Sequence, residues 1–390
     1  MMSSLSGLRI VFATTVLPDE RANGGEICSQ EFIDVLRVNG ADIRVVGYER
    51  VGRGPLQPKP SVYSAGPWFI EMADAGWRRM LWLARAFLTH APFTQTKFKS
   101  AAYVRALRNA LGDWADVLII DHAHMGWVAE LPDLPARKLF IAHNLEHSLY
   151  KDIAQSGSNA KRAIYGREAK HLGAKEVVLG AASDAVITLS NADRDGFANL
   201  GVLTDKITVI DLPGQAFDLT QPAPPKTYDI GLIGSWQWDV NRQGILWFLS
   251  DVLPHLPNDL TVAIAGSGSE TLPTNDPRVN KLGRVPDAGQ FMRACRAIAV
   301  PTVVGSGIQL KTIEGISVGV PMVVTPLALR GINDAPSHVR TAQTGVELAE
   351  ALTEAMTSTP TEPVPQWASS RRERFRETLL SVFDQIGDAA

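Results

Sequence analysis

Lys311 and Glu314 stand three residues apart, directly after a Gly305-Ser306-Gly307 triplet. The stretch from Val300 to Pro326 reads VPTVVGSGIQLKTIEGISVGVPMVVTP. It predicts a buried strand, a glycine turn, a helix carrying Lys311 and Glu314 that closes at Gly319, and a second strand from Met322 after Pro321. In such a unit, backbone N–H groups and the positive end of the helix dipole converge on one spot, which suits a phosphate. Gly307, Ile308, Gln309 and Leu310 would present those N–H groups. Lys311 would neutralise charge that builds on a departing diphosphate. The Glu314 carboxylate can accept from hydroxyls on adjacent carbons, as on a ribose. A solvated glutamate paired with the helix dipole is the competing reading.

Other residues could carry chemistry. His143 follows the apolar run Lys138–Ala142 and precedes Asn144, Glu146 and His147. An imidazole there could move protons near neutral pH, or simply close a strand. His122 and His124 follow a run ending at Asp121 and stand second to it. A His-x-His pair can bind zinc, but no further ligand set is evident in the sequence, so no metal site is expected. Asp193-Arg194-Asp195 matches a nominal Asp-x-Asp metal pattern; Ser190-Asn191 before it reads as a helix start, so capping explains the carboxylates. Gly24 and Gly25 would let the backbone approach a phosphate closely. Cys28 and Cys295 are too few for a disulfide framework and read as reduced and structural.

These residues need a scaffold. The chain has 390 residues, 45% apolar and 20% charged, with a net charge of −3. That length favours two domains, and the charge gives no sign of a nucleic-acid binder. Met1–Leu8 has no signal-peptide core, and no run reaches the roughly 18 apolar residues of a membrane span. A cytoplasmic protein is expected. Short β-branched runs alternate with helical patterns. The strands expected are 8–13, 43–47, 117–121, 138–142, 185–189, 207–210, 229–233, 260–265, 297–304 and 322–325. Such alternation indicates parallel sheets covered on both faces. Helices are expected from about Glu26 to Val38, near Arg242–Leu253 and at Trp367–Ile386. Gly52–Pro67 reads as a long loop. Gly76–Leu111 reads as helical and rich in Trp and Arg, with Trp77, Arg78, Arg79, Trp82 and Arg85. Two readings stand for it: a core-packed helix pair with a solvated basic face, or a surface that touches anionic lipid.

Several segments, in order, resemble the GT-B glycosyltransferases, specifically family 4. Asn23-Gly24-Gly25 is similar to the family's N-terminal glycine loop, and Ile141-Ala142-His143-Asn144 to the segment carrying its active-site histidine. Val186–Ser190 resembles its last N-domain strand. Gly234-Ser235-Trp236 with Asn241, Leu282-Gly283-Arg284-Val285, and Gly305 through Pro321 resemble its nucleotide domain. The resemblance implies an α/β GT-B fold: two Rossmann-like domains whose parallel sheets face a cleft, with a C-terminal helix crossing back to the first. Residues 1–193 would form the acceptor domain, 194–366 the nucleotide-sugar domain and 367–390 the returning helix. It implies transfer of a sugar from a nucleoside-diphosphate-sugar to a hydroxyl of a glycan or lipid-linked acceptor, with retention and with no metal or cofactor, in surface polysaccharide or glycolipid synthesis.

In this scheme Glu314 holds the ribose, Lys311 faces the diphosphate, His143 contacts the transferred sugar, and Gly24, Gly25, Ser235, Arg242, Val285 and residues 306–310 line the donor. Many family members carry a glutamate where this chain has Ser306 and an arginine where it has Ser235. Two alternatives stay open: a nucleotide-sugar epimerase of GT-B-like fold, and a catalytically silent binding subunit of a polysaccharide-assembly complex.

Overall fold

The computed structural model describes residues 5–18, 23–52, 59–70, 75–156, 159–214, 216–305, 307–357 and 364–388. The chain divides into two compact units: residues 1–210 with 374–390, and residues 211–373.

In the first unit, β1 (Arg9–Val16), β2 (Asp42–Arg50), β3 (Val62–Trp68), β4 (Val117–Asp121), β5 (Arg137–Ala142), β6 (Ala185–Thr188) and β7 (Ile207–Val209) form one sheet. Its order is β3-β2-β1-β4-β5-β6-β7, and every pairing is parallel. Ile10–Ala13, Leu118–Ile120 and Leu139–Ala142 are buried throughout, as expected of strands covered on both faces. The helices are α1 (Gly24–Val38), α2 (Arg78–Leu88), α3 (Phe93–Phe98), α4 (Ala101–Leu111), α5 (Glu146–Ser156), α6 (Asn159–Ala182) and α7 (Asn191–Asn199).

The second unit carries β8 (Tyr228–Ile233), β9 (Val262–Ala265), β10 (Val279–Gly283), β11 (Cys295–Val300), β12 (Met322–Val324) and β13 (Val339–Thr341), in the parallel order β10-β9-β8-β11-β12-β13. Its helices are α8 (Asp239–Trp247), α9 (Ala288–Arg293), α10 (Leu310–Val318) and α11 (Gly345–Ala355).

The last helix, α12 (Val364–Asp388), passes from the second unit to the first at Glu373/Arg374. The second-unit part is fixed by Arg371, which is fully buried and donates to the carbonyls of Leu212 (2.7 Å) and Gly331 (3.1 Å). Beyond it, Phe375 packs edge-on against Phe32 at 5.0 Å between ring centres, and Leu379, Val382 and Phe383 are buried. The α/β class, the two parallel sheets and the returning helix were all expected.

Three differences have physical reasons. The boundary falls after Ile210 rather than at 193/194, because β7 completes the first sheet and α7 packs on it. Of the long loop expected over 52–67, residues 53–58 lie outside the described residues, and from Val62 the chain forms strand β3. Its Gly66 and Pro67 disguised it, and both are tolerated because β3 lies at the sheet edge. The strand expected to run to Val304 stops at Val300, where Pro301 ends the ladder.

Candidate functional site

In each sheet the strand order reverses direction once, between β1 and β4 in the first and between β8 and β11 in the second. Such switch points leave a crevice beyond the carboxyl ends of the strands, where ligands of open α/β sheets bind. Each unit gathers most of its described candidate residues there.

In the second unit, β8 leads into Gly234-Ser235-Trp236, and β11 leads through residues 301–309 into α10. Gly244 of α8 makes the approach of these segments possible: a Cβ there would lie 2.0 Å from the Pro301 carbonyl oxygen. Gly266, at φ +109°, likewise lets the end of β9 pass a Gly234 oxygen that a Cβ would meet at 1.9 Å. The turn before α10 is braced by Arg330, which donates to the Gly305 carbonyl at 3.2 Å. Gln309 stands at the start of α10 and supplies no side-chain cap to its first N–H groups.

Lys311 lies in the first turn of α10. Its ammonium donates to Asn241 Oδ1 at 2.8 Å and sits 5.8 Å from the centre of the Trp236 ring. Asn241 in turn donates to the Ser235 carbonyl at 3.1 Å. Trp236 is buried, with its indole N–H on the Ala265 carbonyl at 2.8 Å. Lys311 therefore rests among neutral groups and makes no ion pair with a described residue. Burial pushes its pKa down from 10.5 to about 8. Glu314, one turn further on, is 8% exposed and packs beside Gly214. The Ser235 hydroxyl meets that of Ser267 at 3.3 Å. Arg242 lies on the first turns of α8 and makes no ion pair with a described residue. Val285 follows β10 at the sheet edge, two strands from the switch point. Gly307, Ile308 and Gln309 lead into α10, whose first residue is Leu310. Ser306 lies outside the described residues.

In the first unit the centre is Asp121, fully buried at the end of β4. One carboxylate oxygen accepts from Thr14 (2.7 Å) and Ser29 (2.6 Å), and the other meets His143 Nε2 at 2.7 Å. Burial opposes its charge; the charged imidazole of His143 and these hydrogen bonds outweigh burial and hold the carboxyl well below its usual range. The His143 ring stacks on His122 with centres 3.7 Å apart. Burial works against a charged His143, but the Asp121 carboxylate hydrogen-bonded to it raises its pKa above the ordinary value. Burial, then repulsion from His143, takes His122 down to about 3. Burial also raises the Cys28 thiol, which keeps it protonated. The resulting unit is one charged imidazole on a carboxylate with a neutral imidazole stacked over it.

His122 is further marked by its backbone, at φ +71°. A non-glycine residue held there is strained, and such strain concentrates at functional positions. Its ring edge lies against Gly25, where a Cβ would stand 3.4 Å from His122 Cε1. Gly24 and Gly25 are the first two residues of α1 rather than part of the loop before it. Asn23 caps the helix by accepting from the Glu26 N–H at 3.0 Å, and the Glu26 carboxylate pairs with Arg50. His124 faces Glu146 at 3.6 Å.

The ligand atoms of Asp121, His122 and His143 lie within 4.8 Å of one another, a grouping that could hold a metal ion and that the sequence reading did not assemble. A cation there would have to replace the proton between His143 and Asp121. Ser190 caps α7 by accepting from the Asp193 N–H at 3.1 Å, the Asp193 carboxylate accepts from the Leu145 N–H at 3.0 Å and from the Ser190 hydroxyl, and the exposed Asp195 pairs with Arg194, so the cap is Ser190 and the carboxylates tie a neighbouring loop and carry surface charge. A cavity of about 510 Å³ between α5 and α6, lined by His147, Lys151 and Lys170, contains none of the candidate residues.

The sequence pointed to His143, Lys311 and Glu314 but not to their neighbours Asp121, Thr14 and Ser29, nor to the link from Ser235 through Asn241 to Lys311. A carboxylate that ends a buried strand beside the switch point was the available signal for Asp121.

The two sheets, their switch points and the returning helix define the GT-B architecture. Residues 227–359 match the family model described as Glycosyl transferases group 1, which bears out the resemblance read from the sequence. Among solved structures, sucrose-phosphate synthase from Thermosynechococcus elongatus superposes with a TM-score of 0.62 at 15% identity, covering 98% of this chain and 97% of that one. WaaG, a glycosyltransferase involved in lipopolysaccharide biosynthesis, gives 0.61 at 15% identity over 94% and 95%. Anabaena HepE in complex with UDP and glucose gives 0.59 at 15% identity over 98% and 99%. No curated protein matches the chain by sequence.

Proposed function

We propose that the protein transfers a sugar from a nucleoside-diphosphate-sugar to an acceptor hydroxyl, with retention, and that it serves surface polysaccharide or glycolipid synthesis. The observation that carries the reading is the Lys311 ammonium. It is half-buried at the uncapped start of α10, held by a neutral amide and without a carboxylate among the described residues. Desolvating a cation is costly unless an anion compensates, and a diphosphate would supply that anion.

In this account Lys311, Arg242 and the N–H groups at the start of α10 stabilise the leaving diphosphate, so the reaction proceeds on fixed protein charges without a metal. Glu314 accepts from the ribose hydroxyls. His143, kept charged by Asp121, is assigned to the transferred sugar, as the resemblance implies. The departing phosphate takes the acceptor proton while the new bond forms on the face the leaving group vacates. The UDP and UDP-glucose complexes of HepE support a nucleotide-sugar as the class of donor.

The test is a hydrolysis and transfer assay with UDP-, GDP- and ADP-sugars. The expected result is release of nucleoside diphosphate from one donor class, lost in Lys311→Met. Epimerised sugar formed without an acceptor would replace this reading with the epimerase, and nucleotide binding without turnover would replace it with the binding subunit.

A further inference from the structure

Helix α2 turns its apolar side chains outward. Only Trp82 and Ala86 of this helix are buried, and Trp82 stacks on Trp68 with centres 5.9 Å apart. By contrast Trp77 is 67% exposed, Phe87 68% and Leu88 80%, with Met80 and Leu81 also exposed. These five account for five of the thirteen large apolar side chains exposed in the described residues, so the exposure is concentrated rather than scattered.

The spacing orders them. At about 100° per residue, Phe87, Met80, Ala84, Trp77, Leu88 and Leu81 share an arc of roughly 120°. Trp82 and Ala86 lie on the opposite side, so the apolar arc points directly away from the protein. Arg78 and Arg85 border one edge of the arc. The Arg78 guanidinium lies over the Phe69 and Trp77 rings at 4.6 and 5.5 Å, and Arg78, Arg79 and Arg85 make no ion pair with a described residue. At the far end Arg167 of α6 donates to the Ala86 carbonyl at 2.8 Å and covers Phe87 at 5.3 Å. Between Asp74 and Asp113 the sequence has no aspartate or glutamate and seven lysines or arginines.

We propose that α2 is an interfacial helix that seats the first unit on an anionic lipid bilayer, with Trp77, Met80, Leu81, Phe87 and Leu88 entering the headgroup boundary and Arg78 and Arg85 pairing with lipid phosphates. An apolar arc flanked by arginine, with tryptophan at one end, is the chemistry that favours this position. A folded protein partner would need a fixed complementary surface. This face is a single convex helix of long, flexible side chains, which a fluid bilayer accommodates. No helix in the described residues is long and apolar enough to cross a membrane, so the contact is peripheral. The inference does not depend on the activity proposed above.

The test is co-sedimentation of the full chain with vesicles of phosphatidylcholine alone and of phosphatidylcholine with phosphatidylglycerol, at low and high salt. The protein is expected on the anionic vesicles, with binding weakened by salt. Arg78→Gln/Arg85→Gln should lower partitioning about thirtyfold, and Met80→Ser/Leu81→Ser/Phe87→Ser/Leu88→Ser should abolish it. Because these side chains are exposed, the melting temperature of each variant should stay at the wild-type value. Trp77 emission, taken as the difference from Trp77→Phe, should be quenched by brominated lipid. Equal binding to both vesicle types, or anionic binding untouched by the serine variant, would overturn the proposal. So would a wild-type dimer that ignores vesicles and dissociates in the serine variant, since the arc would then cover a second copy of the chain.

Discussion

Replacing Lys311 with methionine separates a binding role from a structural one, because the two predict opposite signs. The ammonium is half-buried, bonded to one amide oxygen and set over one indole. Burial lowers its pKa from 10.5 to about 8. A displacement of that size is at most about 3 kcal/mol of cost to the folded state, and partial exposure reduces it to ~1 kcal/mol. Lys311→Met should therefore stabilise the apo-protein by ~1 kcal/mol at neutral pH. The sign follows from linkage: with the folded pKa depressed, the cost is fully present below about pH 8 and vanishes above 10.5. The advantage of methionine should fade over that window.

Binding should move the other way. A charge-assisted contact to a diphosphate is worth roughly 1.5–3 kcal/mol, so affinity should fall about ten- to a hundredfold. A bound diphosphate would also return the lysine pKa towards 10.5, so wild-type binding between pH 8 and 10 should take up a proton, and the variant's should not. Denaturant titration and calorimetry in buffers of different ionisation enthalpy measure both. A destabilised variant with unchanged nucleotide affinity and unchanged proton uptake would refute the reasoning.

Asp121→Asn keeps the shape of its site but removes the charge that supports His143. The His143 titration, followed by NMR, should move down, and stability should fall by ~3 kcal/mol, as when one partner of a buried pair is lost; an unmoved His143 would show that Asp121 does not set its protonation. Arg371→Met leaves the Leu212 and Gly331 carbonyls without their donor and should cost ~3–5 kcal/mol in chemical unfolding. Arg371→Lys should not rescue it, because one ammonium cannot reproduce the guanidinium fork. Full rescue by lysine would mean that charge alone matters there.

The fold was legible because its signals are local. Apolar runs such as Val117–Asp121 and Leu139–Ala142, with the helix starts at Asn23 and Ser190, are read over a few residues. Strand β3 was missed because Gly66-Pro67 reads as a turn, and only its pairing with β2 shows otherwise. The site divides in the same way. Lys311 and Glu314 share one helix, so their spacing betrayed them. Asp121 reaches Thr14 across 107 positions and Ser29 across 92, and Asn241 meets Lys311 across 70. No local pattern encodes such meetings; they follow from the sheet order that brings β1 beside β4 and β8 beside β11. The outward face of α2 was ambiguous for a related reason: its periodicity fits a packed helix as well as an interfacial one, and it takes the structure to show that only Trp82 and Ala86 of the helix are buried.

The central claim, that the second unit binds a nucleoside diphosphate with Glu314 on its ribose, is tested most directly by calorimetric titration of UDP, GDP and ADP against their 2′-deoxy forms. The wild-type protein should bind one base class and prefer the ribonucleotide about tenfold, the worth of one hydrogen bond to a charged acceptor. Glu314→Ala should bind both forms equally and more weakly. Equal affinity for the two forms in the wild-type protein, or no binding of any of the three nucleotides, would contradict it.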